Sequence, residues 1–323
     1  MSDSPFPDAP HVATQTVSCD LCGSADAESY AESYDYEYGT CSNMWRFVRC
    51  RACENVYLNP RPHRDAISTI YPPNYYSYHF DQQIHPIARA AKAWLDRGRF
   101  RWIRRQLDVP IEAYLDVGCG NGRYLRLMAD AGLARDHVFG IELDESVVRS
   151  LRAQGFNARY GLFEEIPDLP ESFFQLVTFF GVLEHLPQPL AALAHARTLL
   201  APGGILLCEV PNIRSWNARL FRDRYWGGYH TPRHWNLFSA ETFTRAIEPL
   251  GYRVRTLKRG TGHAFWMYSF HHYVRHHLGW DRVGRWLHPS TCIPGLAVVT
   301  AMDLVRAWLS QETDNTIFVL ERS

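Results

Sequence analysis

With 323 residues, the chain is long enough for about two domains, because single domains typically hold ~100 to 200 residues. Apolar residues make up 46% of the sequence and charged residues 21%, which is ordinary for a globular protein and excludes a largely disordered chain. The 34 basic and 34 acidic side chains balance without a long block of like charge, so the sequence does not indicate general electrostatic attraction to nucleic acid.

The N-terminal residues 1–17 are rich in Pro, Ser, Asp and Thr and lack a basic stretch followed by an apolar core. This composition predicts a disordered arm rather than a signal peptide. Towards the other end, the apolar run from Ile293 to Met302 contains Pro294 and is well short of the ~20 residues of a spanning helix. We therefore expect a soluble, cytoplasmic protein without a transmembrane segment, whose eight cysteines are reduced and available for metal.

Two C-x-x-C pairs follow the arm, Cys19 with Cys22 and Cys50 with Cys53. Four thiolates suit a closed, tetrahedral, structural zinc site. Aromatic residues alternate in the interval between the pairs, which predicts a β-hairpin, and Cys41 within it is interpreted as a core thiol. Residues 18–60 are thus predicted to form a small zinc-ribbon-like module, with unligated or redox-active cysteines as the alternative.

Residues 61–110 are predicted to be a linker followed by a basic helix. The segment 56–80 is rich in Pro and Tyr, which favours irregular packing over a long helix. Helical periodicity begins at Ile87 and continues to Leu107, with seven Arg or Lys residues against one Asp. A solvated basic face on a packing helix explains this charge, and a surface for a phosphate-bearing substrate or an acidic carrier protein is the alternative.

The stretch from Leu115 to Leu125 reads LDVGCGNGRYL and predicts a buried strand, a tight turn and the start of a helix. Glycines at alternate positions let the backbone turn and approach a small polar ligand closely. The third glycine of a dinucleotide-binding loop would stand at Arg123, and the Gly-Lys-Ser/Thr of a P-loop is missing. The loop therefore fits neither of these two phosphate-binding motifs.

A second acid, Glu142, ends the next apolar strand, 26 residues after Asp116. A carboxylate in this position can accept hydrogen bonds from both hydroxyls of a ribose. Further along, a strand from Leu176 to Phe180 leads into the sequence VLEHLP at residues 182–187, and a helix then ends in the turn APGG at residues 201–204.

Together, the D-x-G-x-G-x-G loop, the second acid, the VLEHLP-x-P stretch and the L-x-P-G-G turn resemble class I S-adenosylmethionine (SAM)-dependent methyltransferases. The resemblance is to the branch with ubiquinone-pathway O-methyltransferases and many natural-product and sugar methyltransferases. It covers residues 113–258 and a last strand at 316–320. It implies an α/β fold for residues 111–323, with a Rossmann-like, seven-stranded, mostly parallel sheet, helical insertions, and SAM at the carboxyl ends of the strands.

The resemblance also implies which residues bind the cofactor. The glycine loop would wrap the methionine end of SAM, Glu142 would hold the ribose, and the turn after Gly161 would flank adenine. Leu162 stands where many relatives have an Asp for the adenine amino group, and Gln175 stands where they have an Asp at the start of strand four. The predicted cofactor-binding residues are Asp116, Gly118, Gly120, Gly122, Glu142, Leu143, Phe163, Glu164, Phe180 and Gly181.

Two insertions distinguish this chain. The first, residues 213–238, combines arginines with aromatic residues, which suits an anionic, partly flat or ringed substrate, or else forms a basic surface loop. Its Tyr-His and His-x-x-x-Phe-Ser elements resemble a segment of zinc-containing sugar C-methyltransferases, with a spacing longer by about two residues. The predicted substrate-binding residues are Arg214, Arg219, Arg222, Arg224, Trp226 and Arg233.

The second insertion, residues 261–313, is mostly helical by pattern and is interpreted as a lid or a dimer contact. His272 and His276 share one helix face, which a metal could use, but no further motif completes such a site.

The sequence as a whole predicts a SAM-dependent methyltransferase that acts on a small, anionic, hydroxylated metabolite by O-methylation, as a monomer or homodimer. C-methylation of a nucleotide-linked keto sugar is one alternative, and a zinc-ribbon protein that binds or methylates RNA is another. A histidine with a pKa near the working pH can take the acceptor's proton. The catalytic candidates are His185, Tyr229, His230 and His234.

Overall fold

A computed structural model describes residues 4–72, 75, 86–309 and 312–323, and of residues 86–93 it describes the backbone alone. Most of the Tyr-rich part of the expected linker, residues 73–74 and 76–85, therefore lies outside the described residues.

The strands, in chain order, are β1 (Thr14–Gln15), β2 (Ala27–Ser33), β3 (Trp45–Cys50), β4 (Val56–Leu58), β5 (Arg61–Pro62), β6 (Tyr114–Val117), β7 (Val138–Glu142), β8 (Asn157–Tyr160), β9 (Phe174–Phe180), β10 (Leu200–Pro211), β11 (Asn236–Leu237), β12 (Tyr252–Gly260) and β13 (Asn315–Arg322). The helices are α1 (Ile67–Ile70), α2 (Pro86–Arg104), α3 (Arg123–Asp130), α4 (Glu145–Ala153), α5 (Pro189–Leu199), α6 (Trp216–Leu220), α7 (Ala240–Ile247), α8 (His263–His272), α9 (Asp281–Trp286) and α10 (Ile293–Trp308).

A seven-stranded sheet in the order β12-β13-β10-β9-β6-β7-β8 forms the centre of the fold. The strands from β10 to β8 pair in parallel, whereas β13 pairs antiparallel with both β10 and β12. The predicted seven-stranded, mostly parallel, Rossmann-like sheet is thus confirmed. Parallel strands place their carboxyl ends at one edge, where α/β proteins bind ligands.

Alternating side chains bury both faces of this sheet. On β6, Leu115 and Val117 belong to one core cluster, whereas Tyr114 belongs to the cluster on the opposite face. Residues on the same strand that are one position apart point to opposite faces, so the two clusters are separated by the sheet itself. A strand buried on both sides reads as a continuous apolar run, which is why the sequence identified these strands.

The cysteine pairs lie on a second sheet, in the order β11-β4-β3-β2. The antiparallel pairing of β2 with β3 confirms the hairpin that the aromatic interval predicts. Strand β11, however, comes from the first insertion, and Asn236 pairs there with Tyr57. The module expected at residues 18–60 therefore does not close within its own segment of chain, but shares its sheet with residues 236–237.

The expectation of a disordered arm is wrong for residues 4–17. Strand β1 pairs with β5, and Val12 is buried, with its N–H donating to Asn43 Oδ1 at 2.9 Å. The side chain of Asn43 also donates to the carbonyl of Val12, at 3.0 Å. The polar composition of the arm did not reveal these two-way backbone contacts, because their partners lie about thirty residues further along the chain.

The second insertion forms α8, a π-helical continuation at Tyr273–His277, α9 and α10, as its pattern predicts. It packs on the first insertion through a close approach at Gly227, whose N–H donates to Ser269 Oγ at 2.8 Å. A Cβ at Gly227 would lie 2.5 Å from the Phe265 carbonyl oxygen, so only glycine lets α8 come this near. The two insertions therefore form one packed unit beside the carboxyl edge of the sheet.

Candidate functional site

The glycine loop joins β6 to α3 and turns through left-handed backbone. Gly118, Gly120 and Gly122 have φ values of +70°, +51° and +79°. A Cβ at Gly118 would lie 2.5 Å from Val182 Cγ2, and one at Gly122 would lie 2.2 Å from Leu151 Cδ2. The first and third glycines are therefore required both by the turn and by close packing against neighbouring elements.

Asp116 is buried at the carboxyl end of β6, directly before the loop. Its Oδ1 accepts a hydrogen bond from Thr178 Oγ1 at 2.7 Å, whereas its Oδ2 is buried without a hydrogen-bond partner among the described residues. Burial raises the pKa of Asp116 to about 7. An unpaired buried carboxylate oxygen is costly in the protein alone, so this atom is suited to a cationic or hydrogen-bond-donating ligand group.

Glu142 ends β7, the strand next to β6, and its carboxylate faces the glycine loop. Gly120 N–H donates to Oε2 at 2.8 Å, and Leu143 N–H donates to Oε1 at 2.6 Å. Each oxygen has a second lone pair, so the carboxylate can still accept two hydroxyl groups. Burial raises the pKa of Glu142. The geometry fits the expected ribose contact, and Leu143 is exposed beside it.

The residues expected around adenine are differently placed. Phe163 is fully buried in the core and stacks on His195, with ring centroids 4.7 Å apart, so adenine cannot rest on its ring without rearrangement. Glu164 Oε1 is buried without a hydrogen-bond partner in the described part of the chain and remains suited to a polar group. Phe180 is half-buried at the end of β9, and Gly181 follows it with φ +68°.

Three of the four catalytic candidates come together just beyond β9. The ring centroids of His185 and His234 are 4.6 Å apart, those of His230 and His234 are 4.9 Å apart, and those of His185 and His230 are 6.0 Å apart. His185 lies in a short helical turn after Gly181, and the other two belong to the first insertion. The insertion thus brings its histidines to the same sheet edge as the glycine loop.

His234 is buried with its tautomer fixed by the backbone. Its Nδ1 lies 2.8 Å from the carbonyl oxygen of Gly228, which can only accept, so Nδ1 carries the proton and Nε2 keeps its lone pair. Burial lowers the pKa of His234 well below its usual value, and neighbouring His185 and His230 lower it further. At neutral pH the imidazole is therefore uncharged, with its proton on Nδ1 and a free lone pair on Nε2.

Glu184 is the acid of this cluster. Its Oε1 lies 3.9 Å from His234 Nε2, too far for a direct hydrogen bond, and its Oε2 has no hydrogen-bond partner among the described residues. Burial raises the pKa of Glu184 to about 8, and the negative charge of Glu209 contributes. Ligand atoms of Glu184, His185 and His234 all lie within 4.8 Å of one another, a spacing that could also hold a metal ion.

The other two histidines are held by residues from the N-terminal part of the chain. His185 Nδ1 lies 3.0 Å from Tyr71 Oη and 3.0 Å from the Arg233 carbonyl oxygen. His230 Nδ1 lies 2.7 Å from Glu37 Oε2, and its Nε2 lies 3.2 Å from Tyr75 Oη. Loss of hydration lowers the pKa of His185 to about 3. Both nitrogens of His230 are engaged, whereas the Nδ1 of His185 and of His234 each face a backbone carbonyl oxygen and leave a lone pair on Nε2, and His234 Nε2 also lies 3.9 Å from the Glu184 carboxylate.

Tyr229 does not join this cluster, contrary to its expected catalytic role. Its hydroxyl donates to the carbonyl oxygen of Arg222, and its ring stacks on Phe47 with centroids 4.5 Å apart. Trp226 is also buried, against Tyr229, with ring centroids 5.1 Å apart. Both aromatic residues therefore serve to join the insertion to the β3 side of the cysteine-bearing sheet.

Arg233 is likewise unavailable to a substrate. It is fully buried, and its two terminal nitrogens donate to the two carboxylate oxygens of Asp35, at 3.1 and 3.0 Å. Of the four other arginines of the insertion, three are exposed and Arg224 is half-buried, and all four lie outside the histidine cluster. Arg224, for example, lies 3.7 Å from Glu32 on β2. The structure does not gather the predicted substrate arginines, namely Arg214, Arg219, Arg222, Arg224 and Arg233, around one acceptor site.

Several residues that line this edge could not be predicted from the sequence. Glu37, Tyr71 and Tyr75 contact histidines from more than a hundred positions away in the chain. Arg99, on the basic helix α2, lies 2.7 Å from Glu209, and its guanidinium lies over the Phe180 ring. The high arginine content of α2 was the signal in the sequence for this contact. The position of Arg99 shows that part of the positive charge of α2 faces the sheet edge.

The four paired cysteines converge, as their spacing predicts. Cys19 Sγ lies 3.5 Å from Cys53 Sγ, Cys22 Sγ lies 3.5 Å from Cys50 Sγ, and all four sulfurs lie within 4.8 Å of one another. Tetrahedral zinc with bonds of about 2.3 Å needs sulfurs roughly 3.8 Å apart, so the donor set fits zinc in number, type and spacing. Cys41 is buried elsewhere in the core, in agreement with its interpretation.

We expect the purified protein to carry about one zinc ion per chain, and Cys22→Ser to lose most of it, because a closed four-thiolate site loses a bonded ligand. Metal analysis by mass spectrometry measures this directly. Cys41→Ala is the matched control, since it removes a thiol that is not in the cluster, and it should retain zinc. Metal-free protein, or equal zinc content in Cys22→Ser and wild type, would contradict the assignment.

A family model described as a methyltransferase domain matches residues 75–257, more than half of the chain. Ubiquinone biosynthesis O-methyltransferase from Aromatoleum aromaticum is 33% identical over 129 residues, which cover 38% of this chain and 53% of that protein. A probable S-adenosylmethionine-dependent methyltransferase from Mycolicibacterium smegmatis is 32% identical over 142 residues, or 43% of this chain and 51% of that one. The chain thus spans about half the length of these relatives.

Among solved structures, a putative sarcosine dimethylglycine methyltransferase from Galdieria sulphuraria aligns with a TM-score of 0.50 and 12% identity. The alignment covers 73% of this chain and 88% of that one. At this identity, the likeness concerns the fold alone.

Proposed function

Because the chain belongs to the methyltransferase domain family, we propose that it transfers the methyl group of SAM to a hydroxyl oxygen of a small acceptor molecule. The proposal is supported by one juxtaposition above all. Two acidic residues and the glycine loop lie at the ends of β6 and β7, and an unprotonated histidine lies just beyond the adjacent strand β9. Binding groups and a base thus share one edge of the sheet.

The described side chains fit SAM at two points. Glu142 keeps one lone pair on each oxygen for the ribose hydroxyls, and Asp116 Oδ2 offers a buried acceptor near the turn of the glycine loop. Bound SAM supplies a methyl group already activated on a sulfonium. The task left to the chain is to orient the acceptor and remove its proton, and orientation alone can correspond to an effective molarity of about 10⁵ to 10⁸ M.

We assign the proton transfer to His234. The acceptor O–H would give its proton to Nε2, and its oxygen would then receive the methyl group that bound SAM would supply, with S-adenosylhomocysteine and a methyl ether as products. Nδ1–H stays bonded to the Gly228 carbonyl and fixes the ring. The pKa of Glu184, 3.9 Å from Nε2, is about 8 before the transfer, so the positive charge that forms on the ring favours ionisation of this carboxyl, and the carboxylate then stabilises the imidazolium.

The proposed acceptor is a small hydroxylated molecule, in keeping with the O-methyltransferase relatives. Aromatic and polar side chains from the N-terminal part of the chain and from the first insertion surround the histidines, including Tyr71 and Tyr75. Such walls suit a flat or ringed molecule. An anionic group on the acceptor is no longer supported by Arg233, because Asp35 occupies its guanidinium.

C-methylation of a keto sugar is the second candidate, and one observation favours it. Glu37 of the cysteine-bearing module, and Tyr75 beyond it, hold His230 beside His234. The module thus contributes to the acceptor-binding side of the site, as the resemblance to sugar C-methyltransferases implies. A carbon acid would need the same base. Cleavage of the product with hydroiodic acid followed by mass spectrometry distinguishes the two, because this acid converts the methyl group of an ether into methyl iodide and leaves a C-methyl group in place.

The test is SAM binding as a function of pH. Because burial holds the pKa of Asp116 near 7, the free protein must ionise this carboxyl to receive a cationic ligand. Affinity should therefore be full above pH ~7.5 and weaken as pH falls, by roughly 20-fold at pH 5.5. Calorimetry across this range measures it, and Asp116→Asn should bind weakly with little pH dependence.

Asp144→Asn is the matched control. Asp144 is a half-buried helix cap near the same loop, and Asn caps helices equally well, so this variant should keep the Asp116-dependent part of the wild-type profile. Glu142 also has a raised pKa, and the comparison with Asp116→Asn separates its contribution. Absence of SAM binding at any pH would contradict the proposed function, whereas a flat profile with tight binding would contradict the role of Asp116 alone.

A further inference from the structure

Helix α10 carries its charges inside and its apolar side chains outside. Asp303 and Arg306, the charged residues of the helix, are 0% and 7% exposed, and Asp303 Oδ2 accepts a hydrogen bond from Gly262 N–H at 2.8 Å. Every exposed position of the helix is apolar: Ile293, Pro294, Ala297, Val298, Ala301, Leu304, Val305 and Trp308. This distribution is the reverse of that on an ordinary surface helix.

The exposed side chains form a continuous stripe. Val298, Ala301, Val305 and Trp308 follow one another at helical spacing, and the exposed fractions of Val298 and Trp308 are 69% and 81%. The opposite side of the helix, at Val299, packs in the core with residues of α8. The core is thus packed by the other side of the helix, and no described residue covers the exposed stripe.

Exposed tryptophans also occur on α6 and α9, which pack on α8 as α10 does. Trp216 on α6 is exposed and lies against α10, because the Arg306 guanidinium lies 5.0 Å from its ring centroid. Leu220 continues the surface on α6, and Trp280 and Trp286 are exposed at the two ends of α9. Large exposed apolar patches on a soluble protein mark an interaction site.

The charged side chains on α6 and α9 are mainly basic. The exposed basic residues of α6 and α9 are Arg219, Arg282 and Arg285. The nearby acid Asp281 is paired with both Arg275 and Arg285, at 2.8 and 2.5 Å. A local positive charge thus accompanies the apolar stripe in a chain whose net charge is zero.

We propose that α10, together with Trp216 and the tryptophans of α9, rests on an anionic lipid surface. The 16 residues of α10 give a helix of about 24 Å, and none of the described helices is long and apolar enough to cross a bilayer. Such a helix lies in the plane of the headgroups, with its apolar stripe inserted, tryptophans at the boundary and arginines near the phosphates.

A second copy of the chain fits this surface less well. In a two-fold symmetric contact the same patch meets itself, so Arg219, Arg282 and Arg285 of one copy would face a patch of the same positive charge. Like charges at such a distance oppose association, whereas anionic headgroups attract them. The charge pattern therefore favours lipid over self-association.

The experiment is sedimentation of the full chain with lipid vesicles. Vesicles of equal parts phosphatidylglycerol and phosphatidylcholine should bind the protein, and vesicles of phosphatidylcholine alone should bind it at least tenfold more weakly. Val298→Asp with Val305→Asp should lower the partition coefficient more than about tenfold, because both carboxylates would enter the apolar layer. Arg282→Gln and Arg285→Gln should each lower it about fivefold.

Trp94→Asp is the matched control, since Trp94 is an equally exposed tryptophan on α2 and its replacement should leave vesicle binding unchanged. Circular dichroism melting confirms that the variants fold. Equal binding by wild type and the double Asp variant overturns the proposal, as does binding to neither vesicle. A dimer that the double variant dissociates, or retention by single-stranded RNA, with no vesicle binding in either case, assigns the surface to that partner and also overturns it.

Discussion

Replacement of His234 by alanine should lower kcat by about 10²- to 10⁴-fold while SAM affinity changes less than about twofold. The imidazole is unprotonated at neutral pH, and its Nδ1–H is fixed by Gly228. Its Nε2 is therefore the group to which the acceptor proton passes. The side chain does not belong to the glycine loop or to β7, so the binding of the cofactor should not depend on it. Single-turnover kinetics with a hydroxylated acceptor and calorimetry with SAM measure the two quantities.

His234→Asn is the matched control for a structural role. The Asn amide can still donate to the Gly228 carbonyl, but it cannot accept a proton at neutral pH. If His234 only holds the insertion in place, His234→Asn should recover most of the lost turnover, and the assignment as a base would be wrong. If turnover in wild type instead depends on an added divalent cation, then Glu184, His185 and His234 act as metal ligands.

His230 separates folding from catalysis. Its two nitrogens contact Glu37 and Tyr75, so His230→Ala removes contacts between the N-terminal part of the chain and the insertion. Its main effect should therefore be a lower melting temperature, with a smaller loss of kcat than in His234→Ala. A measurement of kcat alone would not show which histidine acts in folding and which acts in catalysis, so the melting temperature must be measured beside it.

The sequence could predict the sheet and the cofactor edge because their signals are local. Leu115 to Gly122 contains a buried strand, its terminal acid and its turn within eight residues, and Glu142 ends the very next strand of the chain. Apolar runs and glycines of this kind report the strand, the turn and the ligand-facing acid together. The cysteine pairs are local in the same way, since a C-x-x-C knuckle presents two sulfurs to one point.

The first insertion could not be read in this way, because its partners are distant in the chain. Arg233 and Trp226 have the residue types of an anion-binding, aromatic-walled pocket. Asp35 and Phe47 lie far away in the sequence, so the residues next to Arg233 and Trp226 do not indicate that these two side chains are buried. Asp35 is 198 positions from Arg233, and the pairing exists only because β11 joins the cysteine-bearing sheet. The arginine side chain correctly indicated an anionic partner, but that anion was predicted to lie on a substrate, whereas it is the carboxylate of Asp35.

Replacement of Arg233 by methionine should lower the free energy of unfolding by about 3 to 5 kcal/mol. Burial alone would raise the pKa of Asp35, but the Arg233 guanidinium and the hydrogen bonds from Thr40 together hold that pKa below its usual value. Removing the guanidinium therefore leaves a buried carboxylate without its counter-charge. Urea unfolding followed by intrinsic fluorescence measures the change. Arg46→Met is the matched control, because Arg46 pairs with Glu32 on the surface at 3.3 Å, and its loss should cost less than ~1 kcal/mol.

Asp35→Asn in the Arg233→Met background should restore part of the lost stability, since the unpaired charge then disappears and the Asn side chain can still accept from Tyr38 N–H. The same pair also connects folding to catalysis, because it holds in place the backbone of Arg233, whose carbonyl oxygen lies 3.0 Å from His185 Nδ1. Arg233→Met should consequently lower kcat as well as stability, whereas Arg46→Met should change neither by much. Additive losses in the double variant would show that Arg233 and Asp35 do not stabilise each other, and the insertion would then be held by its aromatic contacts with β3 instead.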